Sequence, residues 1–133
     1  MNKETEEALE SYRRCEATGK FFDSFYDIFF AKSNQIPPKF AKTDMEKQKQ
    51  IVMASVLMVL RLGTGDRVAR QYVEELAKSH SRSGHDIGPQ LYELWLDALC
   101  ETIKITDPKY TPQLEQQWRK AMRPGIELMT ASY

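Results

Sequence analysis

One helical face narrows the folding choices of this chain more than anything else in it. Ala69, Tyr72, Val73, Leu76, Ala77 and His80 follow one another at helical spacing, three or four residues apart. That pattern is an apolar stripe turned toward a core. It ends in a histidine, just before a Ser/Gly-rich break at Ser81–Gly84. The stripe therefore aims an imidazole at whatever the helix covers. A neutral imidazole is the commonest side-chain ligand for transition metals. A core histidine bonded to a neighbour is the plainer alternative, and the stripe alone does not separate the two.

The rest of the chain reads as helix too, about six in all. A short first helix over about 3–17 carries a thin stripe of Ala8, Leu9, Tyr12 and Glu16, and Thr18-Gly19 stops it. The second, about 19–32, sets Phe22, Phe25, Tyr26 and Phe29 on one face, widened by Phe21, Ile28 and Phe30. Ile36-Pro37-Pro38 then breaks the pattern, because a proline disfavours helix in the residue before it. Phe40 follows in a short turn. Thr43 and Glu46 are spaced as a capping box for a long helix ending near Leu62. This helix is apolar nearly all round from Ile51 to Leu60, which makes it central. Met45, Gln48, Val52, Ser55, Val56 and Val59 form its inward face. Asp66 suits the cap of the helix that carries His80. Gly88-Pro89 opens the next, with Tyr92, Trp95, Leu96 and Leu99 inward. Thr111-Pro112 opens the last, with Leu114, Trp118, Ala121, Met122, Ile126 and Met129 inward, and Pro124 predicts a kink or a frayed final third.

Composition removes several classes of function. The 133 residues suit one domain over 1–133, and 41% apolar content supports a core. Nineteen basic and nineteen acidic side chains cancel, so there is no field for nucleic acid. The apolar run Ile51–Leu60 is far short of the ~20 residues of a membrane span. The acidic N-terminal stretch has no signal-peptide character. Cys15 and Cys100 read as reduced, partly buried thiols, which fits a cytoplasmic location. No nucleophile elbow, phosphate loop, zinc pattern or poised carboxylate pair is present.

An ordered set of residues resembles a bacterial single-domain globin, a haemoglobin-like protein, over roughly residues 20–130. The set is Phe25-Tyr26, Phe40, Met45-x-x-Gln48-x-x-x-Val52, Leu76-x-x-x-His80, Ile87-x-Pro89-x-x-Tyr92 and Trp118. The resemblance implies an all-α globin fold around a pocket for haem b. It implies His80 as the ligand of the haem iron, with Leu76 beneath the haem plane and Phe40 stacked on it. Tyr26 and Gln48 become the distal polar pair that stabilises a bound gas, with Val52 one turn on. A register shift would put Lys47 or Lys49 in the slot of Gln48. Ile87 and Tyr92 line the proximal rim, and Trp95 and Leu96 face the pocket floor. His85 is either a rim residue, meeting a haem propionate with Arg82 or Lys42, or a solvated side chain. Five residues of helix would set it about 140° from His80, so the two are not expected to share a metal.

The implied function is reversible binding of O2, and of NO and CO, in a monomer or homodimer. An NO dioxygenase served by a separate reductase, a haem-based gas sensor and a haem-free globin-like fold are the alternatives. An enzymatic role is not the leading reading. Three departures from the family pattern stand out. The gap between His80 and Ile87 is long, Asn34 stands where a proline is common, and no glutamate is placed to activate His80 through Tyr92. His80 is expected to give its second N–H to a helix carbonyl instead.

Overall fold

The computed structural model of the protein describes residues 2–133. Met1, the first residue of the acidic N-terminal stretch, lies outside them. Seven helices and no strand occur among the described residues: α1 Lys3–Ala17, α2 Phe21–Phe30, α3 Ile36–Lys39, α4 Met45–Leu62, α5 Arg67–His80, α6 Pro89–Thr106 and α7 Pro112–Ala131. The architecture is the globin fold.

Local chemistry explains most of the boundaries. The Asp66 carboxylate accepts from Val68 N and Ala69 N and starts α5. The Thr111 hydroxyl accepts from Leu114 N and starts α7, with Pro112 in a first turn that needs no donor. Gly88 precedes α6 without a side-chain cap, and Pro89 takes its first position, where no donor is needed.

Three expectations about elements change. The long helix is capped by Asp44, whose carboxylate accepts from Lys47 N at 3.3 Å; the Thr43/Glu46 box does not form, and Glu46 turns to Lys49. The seventh helix is α3, a single turn through Pro37 and Pro38. Both prolines sit in its first turn, where a missing N–H and a fixed φ are tolerated. Finally, α7 is helical straight through Pro124 to Ala131, with no frayed third. Pro124 is exposed, so water can reach the carbonyl it leaves without a partner.

In the packing, α1 lies mainly against α7, α2 against α6, and α4 between α5 and α7. The thin stripe of α1 is well buried: Ala8, Leu9, Tyr12 and Cys15 all lie in the core, whereas Glu16 is exposed. At its C-terminal end α1 is clasped to the α6–α7 corner. The buried Asp107 accepts from Ser11 Oγ at 2.5 Å, Arg14 Nε at 2.8 Å and Arg14 Nη2 at 2.9 Å. Phe25 and Trp118 are completely buried. Between α4 and α5 the packing opens into a cavity.

Candidate functional site

The cavity is walled by all the helices except α1. Its void is about 920 Å³, counting the solvent at its mouth. Nine of the residues singled out in the sequence line it together: Tyr26, Phe40, Gln48, Val52, Leu76, His80, Ile87, Tyr92 and Trp95. They come from α2, the α3–α4 corner, α4, α5, the α5–α6 loop and α6. Two others do not. Leu96 is fully buried in the core behind the wall, because it follows Trp95 by 100° around the helix. His85 is exposed and outside the lining.

His80 ends α5 and is buried for most of its surface. Its Nδ1 lies 2.9 Å from the Leu76 carbonyl and 3.1 Å from Ser79 Oγ. A carbonyl only accepts, so the proton of the neutral ring resides on Nδ1. Nε2 is left with a free lone pair. Burial lowers the imidazole pKa, the Leu76 bond raises it in part, and His85 lowers it again. The ring is therefore neutral and ligand-competent around pH 7.

His85 is the solvated side chain of the two alternatives, but its placement relative to His80 differs from the helical-wheel angle for a backbone reason. α5 stops at His80, and the following loop folds back on its end. His85 N bonds to Ser79 O at 2.9 Å, and Ile87 N bonds to His80 O at 3.0 Å. This brings the two imidazole centroids within 5.8 Å, nearly perpendicular. A helical wheel, which assumed continued helix, cannot give that result. Gly84 permits the fold-back, since a Cβ there would collide with the Ser79 carbonyl. The extra residues between His80 and Ile87 are consumed in this turn. Arg82 does not reach the cavity: its guanidinium lies 4.8 Å over the Tyr133 ring. Lys42 is exposed outside the lining, and the cation on the cavity wall is Lys39, whose Nζ donates to Asp86 O at 3.3 Å.

On the other side, Tyr26 is 4% exposed. Burial pushes its phenol up to about 12, offset in part by the neighbouring Gln48 side chain and by Lys49. It stays protonated, and so remains a donor. Gln48 occupies the lining, while Lys47 is exposed and Lys49 pairs with Asp23 at 2.7 Å. Tyr26, Phe29 and Phe30 close around Phe40 with centroid separations of 5.8, 6.4 and 5.2 Å. Tyr92 is buried and its phenol is likewise pushed up to about 12; it makes no hydrogen bond to His80, whose Nδ1 is engaged by Leu76 and Ser79.

Sequence reasoning missed part of the wall. Met122, Gly125, Ile126 and Met129 of α7 line the cavity, as do Phe29 and Ser55. Most of them were legible as inward-facing, but nothing local said that α7 would face this space. Among the described residues no cluster of three His, Cys, Asp or Glu could hold a metal ion. A lone imidazole in an apolar chamber suits a metal that brings its other ligands with it.

Comparison with known proteins follows the same lines. The globin family model matches residues 23–126. Among solved structures, the chain is similar to a Pseudomonas aeruginosa protein described as structurally highly homologous to a human hemoglobin. That match has 37% identity, covers 98% of each chain and has a TM-score of 0.93. No curated protein matches. No helix among the described residues is long and apolar enough to cross a membrane. The chain belongs to the globin family.

Proposed function

We propose that this haem-binding globin holds one haem b through His80 and reversibly binds O2, with NO and CO as further ligands. The observation that carries the reading is the bond from His80 Nδ1 to the Leu76 carbonyl. It orients the ring and leaves Nε2 as the donor, the arrangement typical of metal-bound histidines. The walls fit the group: Phe40, Val52, Leu76, Ile87 and Trp95 offer aromatic and branched surfaces to a large apolar plate, and Lys39 stands at the rim. When bound through His80, the haem would supply an iron able to take up a diatomic gas reversibly.

The chain's own residues decide what that position favours. Tyr26 O–H and Gln48 N–H are donors on the wall away from His80. A gas whose outer atom gains partial negative charge accepts from them, each bond contributing roughly 1.5–3 kcal/mol. A less polar gas gains less, so the pair favours O2 over CO. Val52 keeps the space beside them apolar and excludes water. Among the described residues the His80 N–H donates to no carboxylate, so nothing pushes extra electron density through the imidazole. That supports reversible binding over peroxidase-like chemistry.

Absorption spectra of the ferric, ferrous and CO forms of the purified protein test the reading. A Soret band that shifts on reduction and again on CO addition is expected. A protein that takes up no haem would end it.

A further inference from the structure

Ser55 lies on the cavity wall, 8% exposed, one turn beyond Ile51 in α4. Its hydroxyl donates to the Ile51 carbonyl at 2.8 Å. That uses its only proton, so the 3.1 Å contact with the Tyr72 hydroxyl has Tyr72 as donor. Tyr72 belongs to α5, on the same face as Leu76 and His80, one turn before the first and two before the second. Leu76 and His80 line the cavity; Tyr72 does not. The cavity thus stops, on the α5 side, where Tyr72 reaches across to Ser55.

Among the described residues no other side-chain hydrogen bond or ion pair joins α4 to α5. The two helices are tied at the Gly63–Asp66 turn and at this bond, and beyond it both line the cavity. Gln48 and Val52 stand on one side of the opening and Leu76 and His80 on the other. We infer that the Tyr72–Ser55 hydrogen bond is the pin of this wedge: it sets the gap between His80 and the Gln48–Val52 wall, and with it the seating of the planar cofactor. Both are positioning residues, acting on the cofactor through α5. The inference rests on the haem reading above.

The geometry makes the bond suitable for that task. It is shielded from most solvent, so water competes poorly for it. The pin lies two helical turns from His80, so a small opening at Tyr72 becomes a larger displacement at the imidazole. Without the phenol proton, the Ser55 hydroxyl keeps its bond to Ile51, and α4 is unchanged. Only the tie between helices is lost.

The test uses haem-loaded protein with Tyr72→Phe, Ser55→Ala and the double variant. Two quantities are read: the rate of haem loss to a scavenging apoglobin, and the iron–imidazole stretching band of the ferrous form by resonance Raman. Each single variant is expected to lose haem at least fivefold faster and to shift or broaden the band. The double variant should be no faster than either single one, because both remove the same bond. Haem loss within twofold of the parent with an unmoved band in Tyr72→Phe overturns the pin. So do effects of the two substitutions that simply multiply. A His80→Ala variant run beside them separates the two ideas. If it retains haem normally, the ligand assignment fails; if it loses haem while Tyr72→Phe behaves as the parent, only the pin fails.

Discussion

At the scale of single residues, two side chains carry the proposed chemistry. His80 is held by its own helix: the Leu76 carbonyl four residues earlier takes the Nδ1 proton. His80→Ala should abolish stable haem incorporation, because no second imidazole lines the cavity; normal haem content by pyridine haemochrome assay would remove the assignment. Tyr26 is a buried donor whose phenol is pushed up to about 12, so it acts unchanged across ordinary pH. Tyr26→Phe should speed O2 dissociation roughly tenfold or more, the equivalent of one charge-assisted bond. An unchanged off-rate in stopped flow would exclude Tyr26 from contact with the ligand. The positions of both residues were readable as helical stripes. Their neighbours were less so. The spacing of Thr43 and Glu46 suggested a cap, yet Asp44 won: its carboxylate accepts from Lys47 N, one residue beyond the Glu46 N–H that a Thr43 cap would take. A sequence offers both solutions, and only the path of the entering chain selects one.

At the scale of elements, two contacts hold the walls of the site in place. The clasp at Asp107 ties α1 to the α6–α7 corner. Burial by itself would raise the Asp107 carboxyl, but the bonds from Arg14 and Ser11 outweigh that and hold it below the usual carboxylate range. A depressed folded pKa contributes stability that is present above the unfolded value and lost as pH falls through the folded one. The clasp therefore weakens below about pH 4. Arg14→Met leaves a buried carboxylate without its partner and should cost about 3–5 kcal/mol at neutral pH, with a flatter loss of stability on acidification. Urea titrations at pH 7 and pH 3.5 measure both effects. The second contact is the approach of α7 to α4. A Cβ at Gly125 would stand 2.5 Å from Val59 Cγ1. Gly125→Ala should cost about 1–3 kcal/mol by overpacking, and adding Val59→Ala should recover much of it; a Gly125→Ala protein as stable as the parent would mean the helices separate freely. Neither contact was visible in the chain, where the partners lie 93 and 66 residues apart.

At the scale of the whole molecule, the cavity is a place where six of the seven helices leave space instead of filling it. Such a space weakens the unliganded protein, since its lining forfeits packing contacts. Anything that binds only the folded state stabilises it by mass action. Haem at a hundred times its dissociation constant should stabilise the protein by about 2.7 kcal/mol, and the thermal midpoint should rise with haem concentration. A midpoint that ignores added haem would mean that the folded chamber does not take it.

The chain alone determined the helices, because periodicity and capping are local: side chains three and four residues apart share a face wherever the helix ends up. The bounds Lys3–Ala17 of α1 and the caps Asp66, Gly88 and Thr111 were all legible on that basis. It also placed His80 and Tyr26 on inward faces. Which inward faces meet was decided by tertiary packing. The fold-back that sets His85 beside His80, the turn of α3 and the lining supplied by α7 have no local signature. The same holds for the tie from Tyr72 to Ser55. Each depends on two segments approaching in space, and that approach is governed by how all the apolar faces can be buried at once.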